Sequence, residues 1–362
     1  MKRRTLALVM LVLAVISAGY VSVQPRAATN ALPEELADKV FWALSSELSE
    51  PNGYFRSDNL LSNEIWMQYV IPDLVKRVPP GRVYLGVGPE QNFTYIAAVK
   101  PAMAFIVDVR RGNLHLHLMY KALFELSDDR ADFLARLFAR KRPAGLTTRS
   151  TAEELFSAFA EVPGSEALYR QNLEALQEHL VKTRGLPLDA EDRAGIEYVA
   201  HEFYLHGPGI RYTSGRGMGP WGRRMPDYAE LMLSTDEEGR NHAYLATEES
   251  FQALKRLHAR NLLVPVVGNF GGPKALRAVG SYIRDAGALV GVFYLSNVED
   301  YLHQQGLMDA FCRNVASLPL DAGSTFIRSY RGARPSMFTN GFRPPGLVND
   351  LGRMQEETAH CR

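Results

Sequence analysis

The residues with the clearest chemical potential are Gly86-Val87-Gly88-Pro89-Glu90-Gln91 and Asp108. Two glycines close together after a short apolar run leave the backbone open, because no side chain blocks a ligand's approach. An acid about 20 residues further on, at the end of the next apolar run, is placed to accept both hydroxyls of a ribose. Asp108 has that position. The alternative is a tight turn followed by a surface aspartate. Strand, turn, helix, strand and acid all in order favour a seat for a nucleoside ligand.

The identity of the residues narrows the ligand. A nicotinamide dinucleotide fingerprint needs G-x-G-x-x-G, and this chain carries Gln91 at the third position. Pro89 suits a first helical position. Glu90 then falls in the first helical turn, where a carboxylate is stabilised by the dipole but repels a phosphate. S-adenosylmethionine has no phosphate and suits an anionic turn better. The expected cofactor contacts are Gly86, Gly88, Pro89, Glu90, Gln91, Asp108 and Arg110. Arg110 and Arg111 also offer cations to an acidic substrate group, or form a surface pair.

These groups need elements to hold them. Arg82–Gly88 and Met103–Asp108 read as buried strands, with a short helix between them ended by Pro101 and a helix from Asn113 to Leu126 after them. Strand–helix–strand–helix order marks a parallel sheet covered by helices. Glu34 to Lys76 is mostly helical in pattern, and 128 to about 200 reads as further helices within an insertion at about 128–247. Leu262–Val267 and Ala288–Leu295 form a second strand block, and Ser324–Tyr330 a last strand. No convincing third strand falls between Leu126 and Asn261. Ligand crevices in such sheets lie beyond the carboxyl ends of strands. Asn269, Gly271, Tyr294, Ser296 and Asn297 are therefore candidate substrate contacts, with loop capping as the alternative. Gly207–Arg224, rich in Gly and Arg, is a candidate binding loop. Pro and Gly dominate from Arg331 onward, which predicts a flexible tail over 331–362.

Arg82–Leu123, with Val83-Tyr-Leu-Gly-Val-Gly-Pro-Glu-Gln-Asn-Phe-Thr-Tyr95 and Phe105-Ile-Val-Asp-Val-Arg-Arg111, resembles an uncharacterised bacterial family with a class I methyltransferase-like fold. Val264–Gly272 and Val292–Glu299 resemble the same family. The resemblance implies an α/β, Rossmann-like doubly wound, mainly parallel sheet with added N-terminal and central helices over 34–330. It implies a pocket for S-adenosylmethionine, carried onto Gly86, Gly88 and Asp108, and no particular methyl acceptor.

Other chemistry has less support. His201-Glu202-x-x-x-His206 misses HExxH by one residue, and His115 and His117 diverge on a helix, so no metal is expected. Gly-x-Ser-x-Gly is absent. Forty-one Lys+Arg against 40 Asp+Glu gives no basic excess for nucleic acid. The expected partner is a small molecule. Lys2-Arg3-Arg4 precedes an apolar stretch from Leu6 to Val23, the pattern of a signal peptide or a membrane anchor over 1–23, with 24–33 as linker. That places the chain outside the cytoplasm, where Cys312 and Cys361 either pair or stay free. Three functions compete: a methyltransferase, a non-enzymatic envelope protein that keeps the fold, and a nucleotide-dependent oxidoreductase disfavoured by Gln91 and Glu90.

Overall fold

The computed structural model describes residues 31–212, 214–215, 225–332 and 346–361. The signal or anchor over 1–23, most of the linker and most of the 207–224 loop lie outside the described residues. No described helix is long and apolar enough to cross a membrane.

The chain forms an α/β fold around one six-stranded sheet. In chain order the strands are β1 (Val83–Gly86), β2 (Met103–Asp108), β3 (Leu263–Val267), β4 (Val290–Ser296), β5 (Thr325–Gly332) and β6 (Gly346–Arg353). Their spatial order is β3-β2-β1-β4-β5-β6. The first five run parallel, and β6 pairs antiparallel with β5 from Thr325↔Arg353 to Gly332↔Gly346. β1, β2 and β3 are buried at every position, as parallel strands covered on both faces must be. Two strands, β2 and then β3, step outward from β1 on one side, and β4 returns to its other side. The order therefore reverses at β1, where a Rossmann-like sheet opens its crevice.

Two expectations are corrected here. The missing third strand is Leu263–Val267 itself, which pairs with β2 from Ala104↔Leu263 to Asp108↔Val267. The two strand blocks are one sheet, separated by a helical insertion. The predicted tail is also partly structured. Residues 346–353 form β6, a short helix follows at Met354–Glu357, and Cys361 is bonded to Cys312. A polar edge strand needs only one apolar face, so its sequence carries little signal.

Helices α1 (Asp38–Leu48) and α2 (Ile71–Arg77) precede β1, and α3 (Gln91–Val99) joins β1 to β2. The insertion opens with α4 (Arg111–Leu126) and continues through α5 (Arg130–Leu137), α6 (Ala152–Ala160), α7 (Glu166–Glu178), α8 (Ala190–His206), α9 (Tyr228–Leu233) and α10 (Glu248–Ala259). Helix α4 packs on β3, α8 and α10 and is buried from Asn113 to Phe124. It even buries Lys121, whose Nζ donates to Glu125 at 2.7 Å and to the His258 carbonyl at 2.6 Å. Burial alone would raise the Glu125 carboxyl, but hydrogen bonds from His179, Lys121 and Arg184 bring it down to about 2. The remaining helices are α11 (Ala275–Asp285), α12 (Val298–Gln305) and α13 (Met308–Ala316).

Residues 49–66 are not helical as the sequence pattern predicted. They form a loop across the carboxyl ends of β2 and β3. Glu50 N donates to Val267 O at 2.7 Å and Gly53 N to Val109 O at 2.8 Å. The Glu50 carboxylate accepts from the amides of Asn269, Lys274 and Ala275, capping the start of α11.

Candidate functional site

A cleft of about 590 Å³ opens at the carboxyl ends of β1 to β4. It falls within the few hundred to ~1,000 Å³ typical of small-molecule sites. One wall is the turn after β1 (Val87, Gly88, Pro89, Gln91) and the end of β2 (Asp108, Val109, Arg110). Asn269 and Phe270 after β3 flank the β2 side, and Ser296, Asn297, Tyr301 and Gln305 from the end of β4 onward flank the β1 side. The 53–63 loop covers one side, and Tyr212, Met225, Arg331 and Leu347 complete the lining.

The turn after β1 is held from within. Asn92 Nδ2 donates to the carbonyls of Val87, Gly88 and Pro89 at 2.9, 3.2 and 2.7 Å, while its Oδ1 accepts from the Tyr84 hydroxyl at 2.9 Å. This explains Gly86: a Cβ there would lie 2.0 Å from Asn92 Oδ1. Gly86 makes room for Asn92 and does not line the cleft, which corrects its expected cofactor contact. Gly88 does line it, at φ +76, and an added Cβ would meet only Gln91 Nε2 at 3.8 Å. His117 Nε2 donates to the Gly88 carbonyl at 2.9 Å. Burial lowers the His117 pKa to about 4, so this imidazole is neutral near pH 7.

Glu90 is the main correction. It precedes α3 but turns inward, fully buried, and accepts from Ser62 N at 3.3 Å. Burial pushes its carboxyl up to about 8, so it is mostly protonated at neutral pH. No anion stands in the first turn to repel a phosphate, and Glu90 does not line the cleft.

Asp108 and Arg110 both line the cleft and hold each other. Arg110 Nε donates to Asp108 Oδ1 at 3.1 Å and Nη2 to Oδ2 at 3.0 Å, while the Arg110 amide donates to Oδ1 at 2.9 Å. Nη1 bonds the Asp58 carbonyl. Both side chains are under a tenth exposed. Arg111 instead turns to Asp192.

On the β4 side, Ser296 and Asn297 line the cleft as expected. Ser296 adopts φ +51, an uncommon conformation for a residue with a Cβ, and its hydroxyl donates to Glu64 Oε1 at 2.5 Å. Tyr294 does not reach the cleft. It is buried, donating to Glu64 Oε1 at 2.6 Å and accepting from Gln91 Nε2 at 2.7 Å. Asn349 of β6 donates to Glu64 Oε2 at 2.6 Å. Glu64 thus ties β4 to β6, and α3 joins them through the Gln91 bond to Tyr294. Asn269 lines the cleft and its Oδ1 accepts from Gly271 N at 2.9 Å, whereas Gly271 packs on Leu307 away from it.

Sequence reasoning missed the 53–63 loop and α12. Pro51-Asn52-Gly53 was the available signal for the loop, since such residues interrupt a helix. Among the described residues, the group with metal-ligand potential is Cys312, His360 and Cys361, and the disulfide consumes both thiolates.

The residues partly fit S-adenosylmethionine. The open Gly88 backbone fits a ligand lying against the turn. Asp108 fits a ribose in part, because Arg110 takes two acceptor positions on Oδ1 and one on Oδ2, which leaves Oδ2 able to accept one more hydroxyl.

No curated protein matches the chain. Residues 60–191 and 221–342, more than half of it, match one family. The match takes in the glycine turn, Asp108, Asn269, Ser296 and Arg331, while Tyr54 and Arg56 precede it. The chain belongs to the family described as a domain of unknown function, DUF7790.

Proposed function

We propose that the cleft binds a nucleoside-bearing small molecule, that this ligand is S-adenosylmethionine, and that the protein transfers a methyl group to a small-molecule acceptor in the manner of class I methyltransferases. The observation that carries this reading is the meeting of Gly88 and Asp108 in one cleft. β1 and β2 pair in register from Val83↔Met103 to Gly86↔Ile106, so the open turn and the acid are neighbours. When bound, S-adenosylmethionine supplies an electrophilic methyl group. Gly88 and Pro89 admit the ligand to the turn, Asn92 and His117 keep that turn rigid, and Asp108, held in place by Arg110, accepts a ribose hydroxyl at Oδ2. The walls exclude water and hold the acceptor in line, the main source of rate in such a displacement. No residue is assigned as a base.

A second reading has its own observation. Because Glu90 is neutral and turned inward, a phosphate-bearing nucleotide meets no repulsion at the turn. The disulfide supports a location outside the cytoplasm, as does the cationic and apolar N-terminal segment. There a non-enzymatic binding role is the third reading.

Calorimetry on residues 31–362 with adenosylmethionine, adenosylhomocysteine and NAD separates them. Saturable binding of the first two, lost in Asp108→Ala, is the expected result. Binding of NAD alone overturns the methyl-donor reading in favour of a nucleotide enzyme. Binding of none leaves the envelope protein.

A further inference from the structure

The mouth of the cleft differs in chemistry from its floor. Among the described residues, the exposed large apolar side chains are Tyr54, Val75, Leu205 and Tyr330, and of these Tyr54 alone lines the cleft, at 86% exposure. An aromatic ring standing in water beside a concave site offers its face for a ligand to stack on. Beside it, Phe55 meets Tyr301 edge to face, ring centres 4.9 Å apart. The Arg56 guanidinium lies 5.8 Å from the Tyr301 ring centre, and its Nη2 donates to the Tyr301 hydroxyl at 3.3 Å. Arg331 reaches the same cleft from the end of β5.

The charge is one-sided. Among the described lining residues there are three arginines and one acid, Asp108. Asp108 is committed to Arg110, so among the described lining residues no acid faces Arg56 and Arg331. A concave site of one sign focuses its field and draws in ligands of the other. Guanidinium groups bind carboxylates and phosphates through paired N–H donors, and exposed rings supply stacking area.

We propose that the outer part of the cleft, built by Tyr54, Arg56, Tyr301 and Arg331, binds an acidic aromatic molecule, and that this is the methyl acceptor. The assignment of acceptor rests on the methyl-donor reading above; the assignment of an aromatic anion site does not. The ring lies against Tyr54 and Tyr301, and the anionic group pairs with Arg56 and Arg331. No proton transfer or bond change is required for binding.

The test is calorimetry on residues 31–362 with para-hydroxybenzoate and indole acetate, each against its neutral carboxamide, and with cyclohexanecarboxylate as a non-aromatic acid. Each titration is run with and without saturating adenosylhomocysteine, and adenosine monophosphate is added as competitor. The expected result is that at least one aromatic acid binds about tenfold or more tightly than its carboxamide and than cyclohexanecarboxylate. Arg56→Gln with Arg331→Gln removes that preference, and Tyr54→Ala weakens both acid and amide. Adenosylhomocysteine affinity stays unchanged in both variants. Circular dichroism melts confirm that these surface variants fold.

If neither acid is preferred over its amide, or the arginine double variant keeps the preference, the aromatic anion site is wrong. If the acid binds as expected but adenosylhomocysteine does not, the anion site stands and the methyl-donor reading falls. If adenosine monophosphate displaces the acid and is itself weakened by the arginine variants, the arginines hold a nucleotide phosphate and the acceptor assignment is overturned.

Discussion

The two walls of the cleft are built on opposite principles. Along the inner wall the polar groups are largely occupied by the protein itself: Asn92 and His117 hold the turn carbonyls and Arg110 holds Asp108, while Glu90 lies buried and mostly protonated behind the turn. Along the outer wall Tyr54 stands in water and Arg56 contacts only a neighbouring tyrosine among its described hydrogen bonds. The inner wall is a rigid shape to which a ligand conforms. The outer wall is a set of exposed groups that a ligand completes. A rigid seat suits a constant ligand, and exposed arginine and tyrosine suit the group that sets specificity.

The contrast can be broken at four points. The largest expected effect is Arg110→Ala, which leaves the Asp108 carboxylate buried without its partner and destabilises the fold by ~3–5 kcal/mol in urea melts. The companion double variant Asp108→Asn with Arg110→Gln recovers most of that loss, because no buried charge is left unpaired.

Next comes Glu90→Gln. Its carboxyl is near 4.5 unfolded and about 8 folded, so the folded state holds a proton that the unfolded chain has lost between those values. The stability this residue contributes is complete below pH 4.5 and lost as pH rises toward 8. The glutamine variant is neutral throughout, so its advantage grows across that window and reaches ~3 kcal/mol at pH 7. Thermal melts at pH 4.5 and 7 measure it; a gap that stays constant with pH would refute the neutral Glu90.

The two glycines separate shape from access. Gly86→Ala collides with Asn92 and costs ~1–3 kcal/mol of stability. Gly88→Ala has room for its methyl, so its stability cost is the left-handed backbone alone, ~1–2 kcal/mol. Ligand affinity, read by calorimetry, falls further in Gly88→Ala than the stability loss accounts for, since only this methyl enters the cleft. The smallest stability effect belongs to Arg56→Gln, within ~0.5 kcal/mol as for other exposed positions. Its consequence is confined to acid binding.

The inner wall was the more legible of the two in the amino-acid sequence. Continuous apolar runs bounded by glycine or proline mark β1 and β2, and their spacing placed Gly88 and Asp108 correctly. The fate of Glu90 was illegible, because a helix-start glutamate reads as exposed and only the Ser62 loop packed over it makes it buried. Gly86 and Tyr294 were misassigned for a related reason: side chains of Asn92 and Glu64, distant in purpose or in sequence, claim them first. The outer wall was nearly invisible. It joins the 53–63 loop, α12 and the end of β5, which no local periodicity connects. β3 was seen as a strand but assigned to a second block, since the whole insertion α4–α10 stands between it and its partner.

That insertion also sets an order of events at the ribosome. β2 emerges, then must wait for α4 through α10 before β3 exists to pair with it. At translation speeds this is a delay on the order of ten seconds. The 49–63 segment, made first, anchors to Val267 and to the cap of α11, so it finds its place only after that wait. The cleft is therefore among the last features completed on the nascent chain, and the helical insertion has time to assemble on its own before a cleft exists.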